Sequence, residues 1–225
     1  MNPRLIVALD VPTITQAREL VTKLDGLVSF YKIGLWLFFE PGVDTLIDDL
    51  IATGNKVFLD YKMYDIGETV RRGVSSAARR GVSITTVHGD PDILRAAAEG
   101  AENTALEVFA ISVLTSTNDA GLRAMGYHQT VPELVLLRAQ AAAAAGIHGL
   151  IASAADTLTP LKQLGLKIAT PGIRLPTDPA HDQKRTATPA QAIAAGADYL
   201  VIGRPITAHP NPTAQTQAIL TDMAI

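Results

Sequence analysis

The chain has 225 residues and a formal net charge of −3; 48% of its residues are hydrophobic and only 5% are aromatic. This length suits one domain with a sizeable core, which we expect to span residues 1–225. The slightly acidic balance excludes a broad basic surface, so we expect no nucleic-acid partner. Because the chain contains no cysteine, disulfides, thiolate metal sites and catalytic thiols are also excluded.

The apolar runs of the chain are all short. The first one, within residues 1–12, is too short for a signal peptide, and no run approaches the length of a membrane span. We therefore expect a cytoplasmic protein with no membrane association.

Short apolar runs alternate with longer amphipathic segments along the chain. Eight runs predict strands, at 4–10, 28–34, 56–60, 83–88, 106–115, 149–153, 166–173 and 198–203. The segments between them predict helices at 13–24, 42–53, 68–80, 92–102, 131–146, 154–164 and 188–196. The strands are almost continuously apolar, as in a parallel sheet covered on both faces. Eight β/α units predict a (β/α)8 TIM barrel. A doubly wound open sheet is the alternative, although no GxGxxG motif follows a strand.

Polar side chains close the predicted strands. In a barrel the chemistry lies at the carboxyl ends of the strands, which meet at one rim. Three strands end in uncharged or weakly basic residues: His88, Thr115 and Ser153. The other five end in, or lead directly into, charged residues: Asp10, Lys32, Asp60 with Lys62, Arg174 and Arg204. Charges on five of eight ends predict a functional site at this rim.

The segment 58–70, FLDYKMYDIGETV, is the most informative part of this rim. Because strand side chains alternate between faces, Asp60 and Lys62 point the same way, and Asp65 follows closely. Burying these charges in a core would be costly. A surface ion pair after a buried strand is the ordinary explanation of such a pattern. The charges at the other strand ends favour a site instead.

The last two β/α loops indicate a phosphate site. Loops after strands seven and eight commonly bind phosphate in barrels, and Gly203 with Arg204 follows strand eight. The segment 174–187 is long and polar, which predicts a lid from which Gln183 can reach a ligand. The histidines have no ligand spacing, so we predict no metal site.

Together the motifs resemble one family, the orotidine 5'-monophosphate (OMP) decarboxylases, lyases of the last step of de novo pyrimidine synthesis. The resemblance covers essentially the whole chain. The DxKxxD pattern alone occurs in a wider group of barrels, whereas its combination with TPGIR, HDQKR and VIGRP is specific. The resemblance rests on seven motifs: ALD (8–10), KIG (32–34), DYKMYDI (60–66), VLTS (113–116), TPGIR (170–174), HDQKR (181–185) and VIGRP (201–205).

The resemblance implies a homodimer with shared active sites. The catalytic residues would form a network of alternating charge, made of Lys32, Asp60, Lys62 and Asp65. Asp65, together with Ile66 and Thr69, would come from the other subunit.

The resemblance also implies how OMP and its product UMP are bound. Asp10 and Lys32 would bind the ribose hydroxyls, Thr115 would contact the pyrimidine, and Pro171 would line the base pocket. The phosphate would be held by Gln183, Gly203 and Arg204, with Arg174 in the loop that approaches it.

The implied reaction uses no cofactor. Loss of CO2 from C6 leaves a vinyl carbanion without an adjacent electron sink, and no motif indicates a cofactor that could supply one. Lys62, between two carboxylates, would stabilise the carbanion and then protonate it.

Two other functions remain open from the sequence. One is a metal-dependent sugar-phosphate decarboxylase or aldolase, in which the acidic residues would bind Mg²⁺; Lys32 beside those carboxylates disfavours it. The other is a non-catalytic barrel that binds a pyrimidine nucleotide, although binding alone does not require Lys62 between two carboxylates.

Overall fold

Eight strands pair in parallel and in chain order, and they close into a barrel. The computed structural model describes residues 2–154, 156, 158–176 and 186–224. Closure is made by β1 and β8, with Leu5 opposite Leu200 and Val7 opposite Ile202. The predicted TIM barrel is confirmed, and the open sheet is wrong. The strands are β1 Leu5–Ala8, β2 Phe30–Gly34, β3 Lys56–Met63, β4 Ile84–His88, β5 Glu107–Ile111, β6 Gly149–Ile151, β7 Lys167–Thr170 and β8 Tyr199–Ile202.

Helices follow the strands and cover the outside of the barrel. They are α1 Ile14–Lys23, α2 Leu35–Phe38, α3 Val43–Ala52, α4 Gly67–Arg79, α5 Pro91–Ala101, α6 Asp119–Ala124, α7 Val131–Ala144, α8 Leu158–Gln163, α9 Pro189–Ala195, α10 Arg204–Thr207 and α11 Pro212–Asp222. The seven predicted helices are all present. Within the described ranges, no helix is both long and apolar enough to cross a bilayer.

Several helix starts follow from local chemistry. Thr130 and Thr188 each begin a capping box, with Glu133 and Gln191 reaching back to the cap residue. Such a box satisfies two of the backbone N–H groups that a helix start leaves unpaired. Prolines at the first helical positions supply the backbone angle that a helix start needs.

The barrel encloses an apolar interior made by alternate strand residues. The other strand faces pack with the helices in a separate, larger core. The interior is tightly filled, because a side-chain carbon on Gly149 would lie 2.6 Å from the ring of Phe109. Its members are Ile6, Ala8, Phe30, Phe58, Ile84, Phe109, Ala169 and Val201, with Ile151 and Tyr199 partly buried beside them.

The next inward-facing positions toward the carboxyl ends of the strands are polar. Lys32, Asp60 and Thr86 each lie two residues beyond a member of the apolar interior, namely Phe30, Phe58 and Ile84. The two-residue period of a strand therefore aims all three side chains into the same end of the barrel. This alternation places the candidate site.

Candidate active site

A cavity of about 520 Å³ opens at the carboxyl end of the barrel. A larger cavity, of about 690 Å³, lies beside α7 and α8, but none of the predicted site residues is among its described lining residues. We take the barrel cavity as the site because charged side chains converge there. Nine predicted residues line it: Asp10, Lys32, Asp60, Lys62, Thr115, Pro171, Arg174, Gly203 and Arg204.

Four charged side chains form a chain of ion pairs across the cavity. The Lys32 Nζ lies 3.0 Å from Asp10 Oδ1 and 3.5 Å from Asp60 Oδ2. The Lys62 Nζ lies 2.8 Å from Asp60 Oδ1. Lys32 is only 6% exposed, so its ammonium depends on the two carboxylates to offset the loss of hydration. The order Asp10–Lys32–Asp60–Lys62 alternates in charge; it contains three members of the predicted network, with Asp10 beside them, and does not include Asp65.

Gly34 makes this close packing possible. A side-chain carbon at this position would lie 2.5 Å from Asp10 Oδ1 and 2.9 Å from Lys32 Nζ. Any larger residue would therefore push the first pair of the array apart. Gly34 was not among the predicted site residues, although it is the last residue of the KIG motif.

Asp60 is the electrostatic centre of the array. Burial alone would raise its pKa, but the ammonium groups of Lys32 and Lys62 act in the opposite direction. Hydrogen bonds from Lys62 and Thr86 add to the effect of the charges, and the pKa of Asp60 lies below the usual aspartate value. The carboxylate is therefore ionised at neutral pH.

Lys62 has an unusual backbone conformation. Its φ angle is +49°, in the left-handed region that residues other than glycine rarely adopt. Its backbone N–H donates to the hydroxyl of Thr86 at 2.9 Å. The same hydroxyl donates to Asp60 Oδ1, also at 2.9 Å. Thr86 was not predicted as a site residue; its inward-facing position on the fourth strand was the available signal.

The candidate phosphate residues lie on the walls contributed by the last two β/α loops. Arg174 is buried, and its guanidinium donates to the Ile173 carbonyl at 2.7 Å. A β-bridge between Ile173 and Ala187 joins the two ends of the predicted lid segment. Arg204 begins α10 directly after Gly203. Gln183 lies outside the described residues.

Three predicted site residues are not brought to this cavity by their own chain. Asp65, Ile66 and Thr69 are exposed between β3 and α4 or at the start of α4. Asp65 Oδ1 accepts the backbone N–H of Ile66 at 2.7 Å. Among the described residues, no ion pair joins Asp65 to Lys62.

His88 lies against Tyr64, with ring centroids 4.8 Å apart. Burial, aided by the nearby charge of Arg138, holds the pKa of His88 below its usual value. It is not among the described lining residues of the barrel cavity. In the described part of the chain, no group of three or more histidine and acidic side chains could hold a metal ion.

Comparison with known proteins identifies the family of the chain. A family model described as Orotidine 5'-phosphate decarboxylase / HUMPS family matches residues 3–219. The orotidine 5'-phosphate decarboxylase of Afipia carboxidovorans is 48% identical over 228 aligned positions, which cover 100% of this chain and 97% of that protein. That of Methylobacterium nodulans is 46% identical, covering 98% and 95%.

Solved structures give the same result. The crystal structure of orotidine 5'-phosphate decarboxylase from Lactobacillus acidophilus superimposes with a TM-score of 0.86 at 33% identity, covering 100% of both chains. An uncharacterised conserved protein from Geobacillus kaustophilus gives a TM-score of 0.82 at 26% identity, covering 97% of this chain and 99% of that one. On these matches and its ordered set of motifs, the chain belongs to the orotidine 5'-phosphate decarboxylase / HUMPS family.

Proposed function

We propose that this protein decarboxylates OMP to UMP, the last step of de novo pyrimidine synthesis, without a cofactor. The observation that carries the proposal is the alternating array Asp10–Lys32–Asp60–Lys62, which lines one cavity with Arg174, Gly203 and Arg204. An anionic substrate with a reacting centre at one end and a phosphate at the other suits this distribution of charge. The relatives with 45–48% identity carry the same activity in their names.

Lys62 is the residue to which we assign the chemical step. When CO2 leaves C6, an electron pair remains on that carbon in an orbital that the ring cannot delocalise. An ammonium held close to C6 stabilises this charge and then transfers a proton to the carbon. The 2.8 Å contact with Asp60 keeps the Lys62 side chain directed into the cavity.

Asp60 has two roles in this proposal. It holds Lys32 and Lys62 on its two oxygens, at 3.5 and 2.8 Å. It would also lie against the carboxylate that departs, with Lys32 and Lys62 on its two oxygens to favour its charged form. Repulsion between the two carboxylates ends when neutral CO2 leaves, so the contact favours the reaction over the bound substrate.

The remaining lining residues would bind the rest of the nucleotide. Asp10 and Lys32 suit the ribose hydroxyls, because they present an acceptor and a donor 3.0 Å apart. Thr115 and Pro171 would contact the pyrimidine. The phosphate would be bound by Gln183, Gly203 and Arg204, beside Arg174.

We also propose that the protein is a homodimer in which Asp65, Ile66 and Thr69 complete the site of the partner. An exposed apolar patch, made of residues of α2 and of the residues that flank Asp65, supports this. Ring contacts link Phe38 to Phe39 and to Tyr61, which continues the patch from α2 to β3. Its members are Leu35, Trp36, Phe38, Phe39, Tyr64 and Ile66, each at least 43% exposed. Six large apolar side chains exposed on two neighbouring segments are typical of an interaction site.

A spectrophotometric assay with OMP, with and without EDTA, tests the activity directly. We expect the pyrimidine absorbance to change from that of OMP to that of UMP at the same rate in both arms. Turnover that EDTA abolishes and Mg²⁺ restores would favour a metal-dependent sugar-phosphate enzyme. Binding of UMP without turnover of OMP would leave a non-catalytic nucleotide-binding barrel.

A further inference from the structure

Thr86 occupies a special position in the barrel sheet. Leu59 of β3 pairs with Thr85 of β4, and the next pair joins Met63 to Val87. Three residues of β3, including Asp60 and Lys62, therefore lie opposite Thr86 alone. Such a bulge interrupts the regular hydrogen bonds between strands and redirects the side chains of the bulged strand.

The Thr86 hydroxyl compensates for this interruption. Thr86 has no exposed surface, and its hydroxyl makes two hydrogen bonds of 2.9 Å. It accepts the backbone N–H of Lys62, the residue with the positive φ, and it donates to the carboxylate of Asp60. Because a buried N–H without an acceptor is costly, the hydroxyl stabilises a backbone conformation that would otherwise be unfavourable.

The same hydroxyl also defines the orientation of the Asp60 carboxylate. Oδ1 receives hydrogen bonds from Thr86 and the ammonium of Lys62, while Oδ2 faces Lys32. Without Thr86, the carboxylate could rotate about its last side-chain bond, since terminal carboxylate torsions are broad. Its rotation would change the distance between Asp60 and both ammonium groups.

We propose that Thr86 is a positioning residue for the decarboxylation: through one hydroxyl it holds the bulged backbone of Lys62 and the carboxylate of Asp60 in the geometry that the reaction uses. This inference rests on the proposed function, because it assigns the importance of Thr86 to residues that act in that reaction. Thr86 is not among the described lining residues of the cavity, so it would act through Asp60 and Lys62.

Thr86→Val tests the proposal, because valine keeps the shape of threonine and removes the hydroxyl. We expect kcat for OMP to fall about 10- to 100-fold, the effect of losing a hydrogen bond to a charged group. The Kd for UMP should change less than about threefold, since the nucleotide contacts remain. Thr86→Ser keeps the hydroxyl, and its kcat should stay within about threefold of wild type.

Thr85→Val is the matched control. Thr85 is the preceding residue, is equally buried, and donates to the backbone carbonyl of Leu59 on the same neighbouring strand, at 3.1 Å. Its hydroxyl touches neither Asp60 nor Lys62. We expect Thr85→Val to lower the Tm as Thr86→Val does, while its kcat stays near wild type.

Wild-type kcat in Thr86→Val would overturn the proposal, and so would an equal loss of kcat in Thr86→Ser or Thr85→Val. If Thr86→Val does not fold, Thr86→Ala removes the same hydroxyl without added bulk and is judged by the same kcat-against-Kd comparison. An inactive wild type would instead refute the proposed function, so the two failures are distinguishable.

Discussion

At the scale of the residue, Lys62 combines a charged side chain with an unusual backbone conformation. Its side chain lines the cavity beside Asp60, and its backbone has the left-handed φ that a regular strand would not impose. A strained residue in a charged cavity is expected when function requires a particular side-chain direction. The chemistry that we assign to Lys62 can therefore be tested apart from binding.

Lys62→Ala should abolish most turnover while leaving UMP binding nearly intact. We expect kcat to fall on the order of 1,000-fold or more, since proton transfer and electrostatic stabilisation are lost together. The control is Lys56→Ala, because Lys56 is an exposed lysine at the opposite end of the same strand. Steady-state kinetics and UMP titration measure both effects. Turnover comparable to wild type would remove Lys62 as the proton donor.

The lowered pKa of Asp60 predicts that the stability of the fold depends on pH. The pKa of Asp60 is lower in the folded protein than in the unfolded chain, where it is about 4. Ionised Asp60 therefore stabilises the fold fully above that pH. This contribution is lost as the pH falls through the lower pKa of the folded state. The Tm difference between wild type and Asp60→Asn should be largest near neutral pH and shrink in acid. Thermal melts from pH 7 down to the acid limit measure it. Asp92→Asn, at an exposed position on α5, is the control. A difference that stays constant or grows in acid would contradict the assignment.

At the scale of the element, the strand pattern predicted most of the fold. All eight strands were found because an apolar run flanked by turns is what a doubly covered parallel strand requires. The predicted ends of the strands were less accurate. β3 was predicted to end at 60 but continues to Met63, and β5 was predicted to reach 115 but ends at Ile111. The bulge opposite Thr86, which lengthens β3, depends on pairing between strands and leaves no local signal.

The short helices were missed for a related reason. The segments of α2, α6 and α10 have four to six residues, too few for an apolar period to be recognised. α11 is longer, but its sequence PTAQTQAILTD has few apolar positions and no clear stripe. α10 contacts α11 and β1, and α11 also contacts α1 and α9, so packing against neighbouring elements supports these two helices where no local pattern does.

The site was predicted in outline because parallel strand ends meet at one rim. Nine of the predicted residues line the cavity for that reason. Thr86 and Gly34 were missed because their importance comes from distances to Asp60, Lys62 and Asp10, which only the folded chain defines. The roles of all these site residues remain predictions, and for Asp65, Ile66, Thr69 and Gln183 a place at the cavity is a prediction as well.

The loops after β7 and β8 are predicted to bind the phosphate of the substrate. Arg204→Ala should lower kcat/KM for OMP by a factor that corresponds to about 2–5 kcal/mol, the effect of losing a charge-assisted hydrogen bond to a partly buried phosphate. It should barely change the slow reaction of orotidine, which has no phosphate. Arg79→Ala, on an exposed arginine at the end of α4, is the control. Equal losses on both substrates would mean that Arg204 supports the fold or the base pocket.

At the scale of the whole molecule, the exposed patch and the exposed position of Asp65 point to the same surface. Tyr64 and Ile66, which flank Asp65, are 67% and 73% exposed. Leu35 and Trp36 belong both to the patch and to the lining of the cavity. A partner that covered the patch would therefore close one side of the cavity and bring its own Asp65 toward it, with twofold symmetry making the exchange mutual.

Mixing two inactive variants tests this arrangement. Lys62→Ala and Asp65→Ala subunits are each defective, but a mixed dimer with shared sites has one site that contains both mutations and one that contains neither. With random exchange, half of the dimers are mixed and each has one intact site of two, so about a quarter of wild-type activity should return. Lys62→Ala mixed with Lys56→Ala is the control, because activity there should follow only the fraction of intact Lys62. If subunit exchange is verified and no activity returns, Asp65 acts in the site of its own chain, and the patch needs another explanation.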